Sequence, residues 1–313
     1  MASPARQKGC GIDGGRRVRR LIAVVVGLVL TAAITDACGP TILSPVGPIA
    51  DGERTILLDA LGIMLVIVVP TILATLLFAW WFRASNKAAV YRPIWAYSGK
   101  LEVLVWAIPA LVVLFLGGVA WIGSHDLDPA QPIASQKRPL EVQIVSLDWR
   151  WLFIYPGQHI ATINRLVVPL GTPVHLRLTS ASVMNVFFVP RLAGQIYTMN
   201  GMVTQLNLLG TMTGTFPGLS AQFSGDGFAG MSFDTVVASP VEFDSFVARA
   251  QGAPGRLDDT EYRLLSRQSH DGRVQLFGDV SRDLFDDIVS LRLPPGAGPA
   301  QLAPVSDMTM GAH

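Results

Sequence analysis

The sequence predicts an α+β membrane protein, with a two-helix transmembrane hairpin, then an antiparallel β-sandwich and a partly helical C-terminal tail. Long uncharged apolar runs at 60–82 and 103–122 predict the hairpin, and short alternating segments between 140 and 240 predict the sandwich. Of the 313 residues, 50% are hydrophobic and 15% are charged, which is too apolar for an ordinary soluble protein and too polar for a pure membrane bundle. A net charge of +1 gives no reason to expect a nucleic acid as partner.

The N-terminal segment 1–37 is organised like an export signal. A basic stretch precedes an apolar run at 21–34, which is shorter than the roughly 20 residues that a membrane span needs. We therefore expect 1–37 to be a cleaved signal peptide, and the alternative is an uncleaved anchor. Cys38 resembles the acylated cysteine of bacterial lipoproteins, although Thr35 and Asp36 depart from that pattern. We expect lipid attachment at Cys38 and an exported segment at 38–55.

The hairpin is expected over 56–122, with spans at about 58–82 and 103–122. The prolines within the two runs are tolerated, because neighbouring helices can satisfy the carbonyls that they free. All charged residues of the loop 83–100 are basic, so the loop is expected in the cytoplasm of a bacterium with both helices crossing its inner membrane. The alternative is a pair of buried helices in a soluble core.

The periplasmic domain is expected at 123–240. Residues 174–179 and 231–237 alternate apolar and polar side chains, with turn-forming residues between such segments, and this pattern predicts an antiparallel sandwich or barrel. The extension 241–313 shows helical patches, the first opening at Pro240, and is expected to be disordered from Leu293. Because Cys38 is the last cysteine, the exported domain can contain neither a disulfide nor a thiolate metal site.

Four segments resemble, in the right order, segments of subunit II of the bacterial haem-copper oxidases. They are residues 100–109, 146–156, 182–197 and 214–231. The resemblance implies a cupredoxin-like outer domain and a place in a respiratory oxidase. It also implies subunit I, further small membrane subunits and the lipid bilayer as partners.

The loop that binds copper in this family differs here. Members that accept electrons from cytochrome c hold a dinuclear copper centre with an upstream His and the loop Cys-x-Glu-x-Cys-x-x-x-His-x-x-Met. In this chain only Met231 keeps its residue, and the other positions hold Asn185, Ser220, Gln222, Ser224 and Phe228. Thiolate and imidazole suit copper, whereas a lone thioether is a weak ligand. We therefore expect this chain to bind no metal or cofactor and not to react with cytochrome c.

The resemblance then implies the quinol-oxidising branch of the family. The expected complex oxidises quinol, taken to be ubiquinol, reduces O2 to water and pumps protons, with its haems and copper in subunit I. This chain would supply no catalytic residue. One alternative is a subunit II that retains copper, which the absence of cysteine after Cys38 opposes. The other is a lipid-anchored cupredoxin-like scaffold or assembly lipoprotein without oxidase activity.

Some individual residues carry further hypotheses. Glu102 matches the family's Glu at the mouth of a proton channel, and the alternative is a plain interfacial charge beside Lys100. Trp149 and Trp151 belong to the family's electron-input region and are expected to be packing residues here. None of the histidines matches a ligand position; they are His125, His159, His175, His270 and His313. Near the C-terminus, Met308, Met310 and His313 could form a weak copper site, and the alternative is a polar tail.

Overall fold

Two long helices open the part of the chain that the computed structural model describes, namely residues 42–90, 94, 97–296 and 298. α1 is Pro48–Trp81 and α2 is Gly99–Asp126. The most apolar 18-residue window of each helix has no buried residue. Helices this long and apolar, with no protein covering them, are suited to a bilayer. The two membrane-spanning helices are therefore confirmed.

The helices pack as an antiparallel hairpin through small residues near the N-terminal end of α1 and the C-terminal end of α2. A Cβ at Gly123 of α2 would overlap Ile56 of α1, and one at Gly52 would lie 2.8 Å from the Leu127 side chain that follows α2. The small residues thus allow close approach. α1 has 34 residues, about 50 Å at the helical rise, whereas the hydrocarbon core is about 30 Å thick. Its first turns therefore reach beyond the bilayer, where Ala50 is buried.

Ten strands follow the hairpin. They are β1 Leu140–Ser146, β2 Trp151–Tyr155, β3 Ile160–Ile163, β4 Arg165–Pro169, β5 Val174–Ser180, β6 Asn185–Val189, β7 Ala193–Thr198, β8 Thr204–Leu208, β9 Gly214–Ser220 and β10 Ser232–Ala238. A 3₁₀ turn at Phe228–Gly230 lies in the loop between β9 and β10. α1 contacts β7, which joins the membrane hairpin to this part of the chain.

The C-terminal extension adds short elements. They are α3 Pro240–Gln251, β11 Arg256–Leu257, α4 Asp259–Leu265, β12 Gln275–Phe277, β13 Asp279–Val280 and α5 Leu284–Val289. α3 confirms the helix predicted to open at Pro240. Its first turn is held by a capping box, in which Glu242 and Ser239 bond each other's backbone N–H groups.

The strands form a sandwich of two main sheets. One has the order β12-β3-β2-β1-β5-β8 and the other β4-β10-β9-β6-β7, while β11 and β13 pair separately. The sandwich is confirmed, but its pairing is mixed, because β1 with β5 and β10 with β4 run parallel. Alternation of side chains is the same in parallel and antiparallel strands, so the sequence could not reveal this difference. β12 was not predicted, yet it extends the six-stranded sheet by pairing with β3.

An aromatic core fills the space between the two sheets. Phe187 stacks on Phe233 with ring centroids 5.0 Å apart, and Trp151 meets Phe187 edge-on at 5.4 Å. Tyr155 of β2 ties the sheets together, because its hydroxyl donates to the Val167 carbonyl at 3.0 Å and accepts from the Val167 N–H at 2.8 Å. Burial raises the pKa of Tyr155, so the hydroxyl keeps its proton.

The outer face of the six-stranded sheet is covered by the C-terminal extension. Val145 and Leu147 point to this side and pack with Tyr262, Phe285 and Ile288 in a second apolar cluster. β1 is therefore buried on both faces, which explains why alternation in 140–147 is weak.

Candidate functional site

Four of the six copper-ligand positions meet at one end of the five-stranded sheet. Asn185 begins β6, Ser220 ends β9, Ser224 lies in the following loop, and Met231 directly precedes β10. All four are buried. β6 pairs with β9 next to Ser220, which brings the upstream residue to the loop.

These four residues bond to one another. The Ser220 hydroxyl donates to Asn185 Oδ1 at 3.1 Å, and the Ser224 hydroxyl approaches the Met231 sulfur at 3.9 Å. The Ser220 N–H donates to the Met231 carbonyl at 3.2 Å, which links the two pairs. The buried polar groups therefore satisfy each other, as buried polar groups must.

The other two positions take different roles. Gln222 contributes its backbone carbonyl, which lies 3.4 Å from the Ser220 hydroxyl. The Phe228 ring packs edge-on against Phe223 at 5.6 Å between centroids. Neither contact resembles metal coordination, because one is a backbone hydrogen bond and the other is a ring–ring contact.

The donor set does not fit a dinuclear copper centre. It consists of two hydroxyls, one amide and one thioether, so no anionic soft ligand is present to bridge two coppers. Within residues 42–296, leaving aside those that the structure does not describe, no group of three or more His, Cys, Asp or Glu side chains could hold a metal ion.

Trp149 and His270 hold the loop in place instead. The indole N–H of Trp149 donates to the Ser224 carbonyl at 3.0 Å, and a Cβ at Gly227 would overlap the indole ring. The ring of His270 stacks on Trp149 with centroids 4.8 Å apart. Trp149 has a φ of +71°, a conformation that bulky residues adopt only when their surroundings impose it. Sequence reasoning missed His270, because its partner is remote along the chain.

Comparisons with known proteins identify the family of the chain. Residues 156–241 match the family described as "Cytochrome C oxidase subunit II, periplasmic domain", and 251–291 match "COX Aromatic Rich Motif". The chain is 44% identical to "Cytochrome bo(3) ubiquinol oxidase subunit 2" of Pseudomonas putida, over 88% of this chain and 87% of that one. The chain belongs to the ubiquinol oxidase subunit 2 family.

A second relative is similar over a comparable length, and a solved structure is similar over part of the chain. "Ubiquinol oxidase subunit 2" of Acetobacter aceti is 42% identical over 88% of both chains. Among solved structures, the periplasmic domain of subunit II of cytochrome oxidase from Bradyrhizobium japonicum has a TM-score of 0.37 at 21% identity, over 39% of this chain and 98% of that one. The family match, the two relatives and the two-sheet sandwich confirm the cupredoxin-like fold class and the resemblance to the quinol-oxidising subunits II, and the scaffold alternative is not favoured.

Two buried charged residues, Asp148 and Arg150, flank Trp149. Arg150 donates to the Leu265 carbonyl at 2.6 Å, and burial lowers its pKa while the nearby Asp271 charge opposes that effect. Asp148 accepts from the Ser182 hydroxyl. Burial, and then the Asp148 charge, raise the pKa of Tyr262. These contacts fasten the matched aromatic-rich segment to the sheet, and no local sequence signal predicted them.

The remaining predicted residues are only partly described. Glu102 lies exposed in the first turn of α2 and forms no ion pair with Lys100 or with any other described residue. A carboxylate near a helix N-terminus is also favoured by the helix dipole alone. The predicted signal peptide and lipid site Cys38 lie outside the described residues, as do Met308, Met310 and His313.

Proposed function

We infer that this chain serves a complex that oxidises ubiquinol, reduces O2 to water and pumps protons, and that it does so as a non-catalytic subunit. The observation that carries the inference is the set of buried Asn185, Ser220, Ser224 and Met231, which bond to one another and offer copper no thiolate or imidazole. The relatives' names place them in ubiquinol oxidases, and such oxidases contain haem and copper.

The missing ligands determine the electron route. A water-soluble cytochrome would need a relay in this domain, and hydroxyl and amide groups cannot supply one. Quinol dissolved in the bilayer can reduce subunit I directly, without passing through the exported domain. We therefore assign the haems, the copper and the quinol site to subunit I, which this chain and further small membrane subunits support.

The proposed topology places the sandwich in the periplasm. The outer ends of α1 and α2 lie together at Gly52 and Gly123, on the side where α1 contacts β7. The loop between the helices carries Arg83, Lys87 and Lys100 and so favours the cytoplasm of the cell. We further propose that 1–37 is removed as a signal peptide and that Cys38 is lipidated. The proposed domains are the hairpin at 56–122, the exported domain at 123–240 and the C-terminal extension at 241–313.

Glu102 is proposed to take up protons from the cytoplasm. A carboxylate at the membrane boundary can exchange protons with bulk water. Glu102→Gln should slow steady-state oxygen uptake and proton pumping, with Lys100→Gln as the matched control at the same boundary. Equal rates in the wild type and in Glu102→Gln would reduce Glu102 to an interfacial charge.

The deciding experiment is oxygen uptake by the complex, purified through a tag on this chain. Uptake is expected with ubiquinol and not with reduced cytochrome c. Met231→Leu should leave the copper-to-haem ratio unchanged, because no copper is proposed at that thioether. Uptake with cytochrome c, or loss of copper in Met231→Leu, would contradict the proposal.

A further inference from the structure

A second polar site lies on the outer face of the six-stranded sheet, and none of its lining residues is a copper-ligand position. It is a cavity of about 380 Å³, large enough for a small organic molecule. The turn between β2 and β3 forms one wall, and the segment between β13 and α5 forms the other. The C-terminal extension therefore leaves part of the sheet uncovered here.

The floor of the cavity contains the amide of Gln143. The residue is 8% exposed, between the completely buried Val142 and Ile144, and its amide atoms remain open to solvent. Its side chain hydrogen-bonds to no described residue, so the amide faces the open cavity. The adjacent Arg177 on β5 is occupied by Glu141 and Asp286 at 3.6 and 3.7 Å. An amide placed in this way is available to a bound molecule.

The cavity walls provide positive charge and no negative charge. Arg282 and His159 line the cavity, and none of the lining residues is acidic. Arg282 forms no ion pair with any residue that the structure describes. Ser281 adds a hydroxyl, while Ile154 and Val280 add apolar surface. One permanent cation beside an amide and apolar walls suits a singly charged anion with an apolar body.

We propose that this cavity binds a small organic carboxylate. The guanidinium of Arg282 and the Gln143 amide hold the carboxylate, whose planar oxygens match the Arg fork, and Ile154 and Val280 contact the apolar body. The site is independent of quinol oxidation, and its test reads binding and not turnover.

The test uses 4-azidobenzoate, a photoreactive aromatic carboxylate, on the purified complex. After illumination, peptides of this subunit are mapped by mass spectrometry. Label is expected within 154–159 or 280–282, with benzoate competing and the uncharged benzyl alcohol not competing. Arg282→Gln and Gln143→Leu should each reduce labelling about tenfold, the loss expected for one charge-assisted hydrogen bond.

Arg256→Gln is the matched control, because Arg256 pairs with Asp279 at 3.3 Å and does not line the cavity. It should label like the wild type, and unchanged haem content in every variant shows that the complex has assembled. Absence of label from both segments, or equal labelling in Arg282→Gln, would overturn the proposal. Competition by inorganic phosphate but not by benzoate would overturn the carboxylate assignment.

Discussion

The two faces of the six-stranded sheet are both buried, but they are built differently. The inner face packs aromatic rings such as Trp151 and Phe153 against the second sheet. The outer face also has apolar residues, yet it includes the buried charged residues Asp148 and Arg150. Apolar contacts do not depend on direction, whereas buried charges need partners in fixed positions. The inner face should therefore determine whether the domain folds, and the outer face should determine how the C-terminal extension is attached.

The largest effect is expected in the aromatic core that packs against the inner face. Phe187→Ala, on β6 of the second sheet, removes a fully buried ring that contacts Trp151 and Phe153 of the inner face and also Phe233. It should destabilise the domain by about 3–5 kcal/mol, the range for large-to-small core substitutions. Urea titration of the purified complex, with proteolysis of this subunit as readout, measures the loss. A loss below about 1 kcal/mol would mean that the inner face does not determine folding.

A somewhat smaller effect is expected on the outer face. Arg150→Ala removes the donor to the Leu265 carbonyl and the charge that faces Asp271. Losing a hydrogen bond from a charged donor to a buried carbonyl costs about 1.5–3 kcal/mol. Proteolysis should increase within 251–291 before it increases in the strands, with the exposed Arg249→Ala as control. Simultaneous cleavage of both regions would show that the two faces unfold as one unit.

The copper-ligand positions should give an intermediate effect. Asn185→Ala removes the nearer of the two acceptors of the buried Ser220 hydroxyl and should cost about 1–3 kcal/mol. Adding Ser220→Ala should restore part of this loss, because no hydroxyl is then left unpaired. If the two losses simply add in the same urea titration, the pair contributes nothing as a pair.

The smallest effect is expected at the exposed start of α3. Ser239→Ala removes the capping box and should cost about 1 kcal/mol. The Ser239 hydrogen bonds lower the pKa of Glu242 below its usual 4.5. Since a lowered carboxyl pKa stabilises the fold only above that range, the contribution is present at neutral pH and lost as the pH falls below 4.5. Urea midpoints of Ser239→Ala and the wild type should therefore lie closer together in acid, and an equal gap at pH 7 and in acid would contradict this role.

The sequence predicted those parts whose signals are local. Uncharged apolar runs predicted both helices, but not the start of α1 at Pro48, because Asp51, Glu53 and Arg54 interrupt the apolar pattern there. Turn residues and alternation predicted the sandwich, although strands as short as β12 carry too little pattern to be recognised.

The site divides in the same way. The copper-ligand positions could be placed by resemblance, and the structure brings Asn185, Ser220, Ser224 and Met231 into contact. The stacking of His270 on Trp149 depends on how the C-terminal extension folds back, which no local pattern encodes. The cavity beside Gln143 escaped prediction for the same reason, since its walls come from three separate segments.

The length of α1 sets the distance between the sandwich and the apolar part of the hairpin, and the rotation of the sandwich about the helix axis. α1 is one continuous helix from Pro48 to Trp81. Its first turns, which include Ala50 and Gly52, contact the rest of the protein, so the apolar part of the helix and these contacts are rigidly connected. Each residue inserted into α1 would move the sandwich by about 1.5 Å along the helix axis and rotate it by about 100° about that axis. Length changes in α1 should therefore be tolerated only in whole turns, because other lengths would rotate the sandwich away from its contacts with the hairpin.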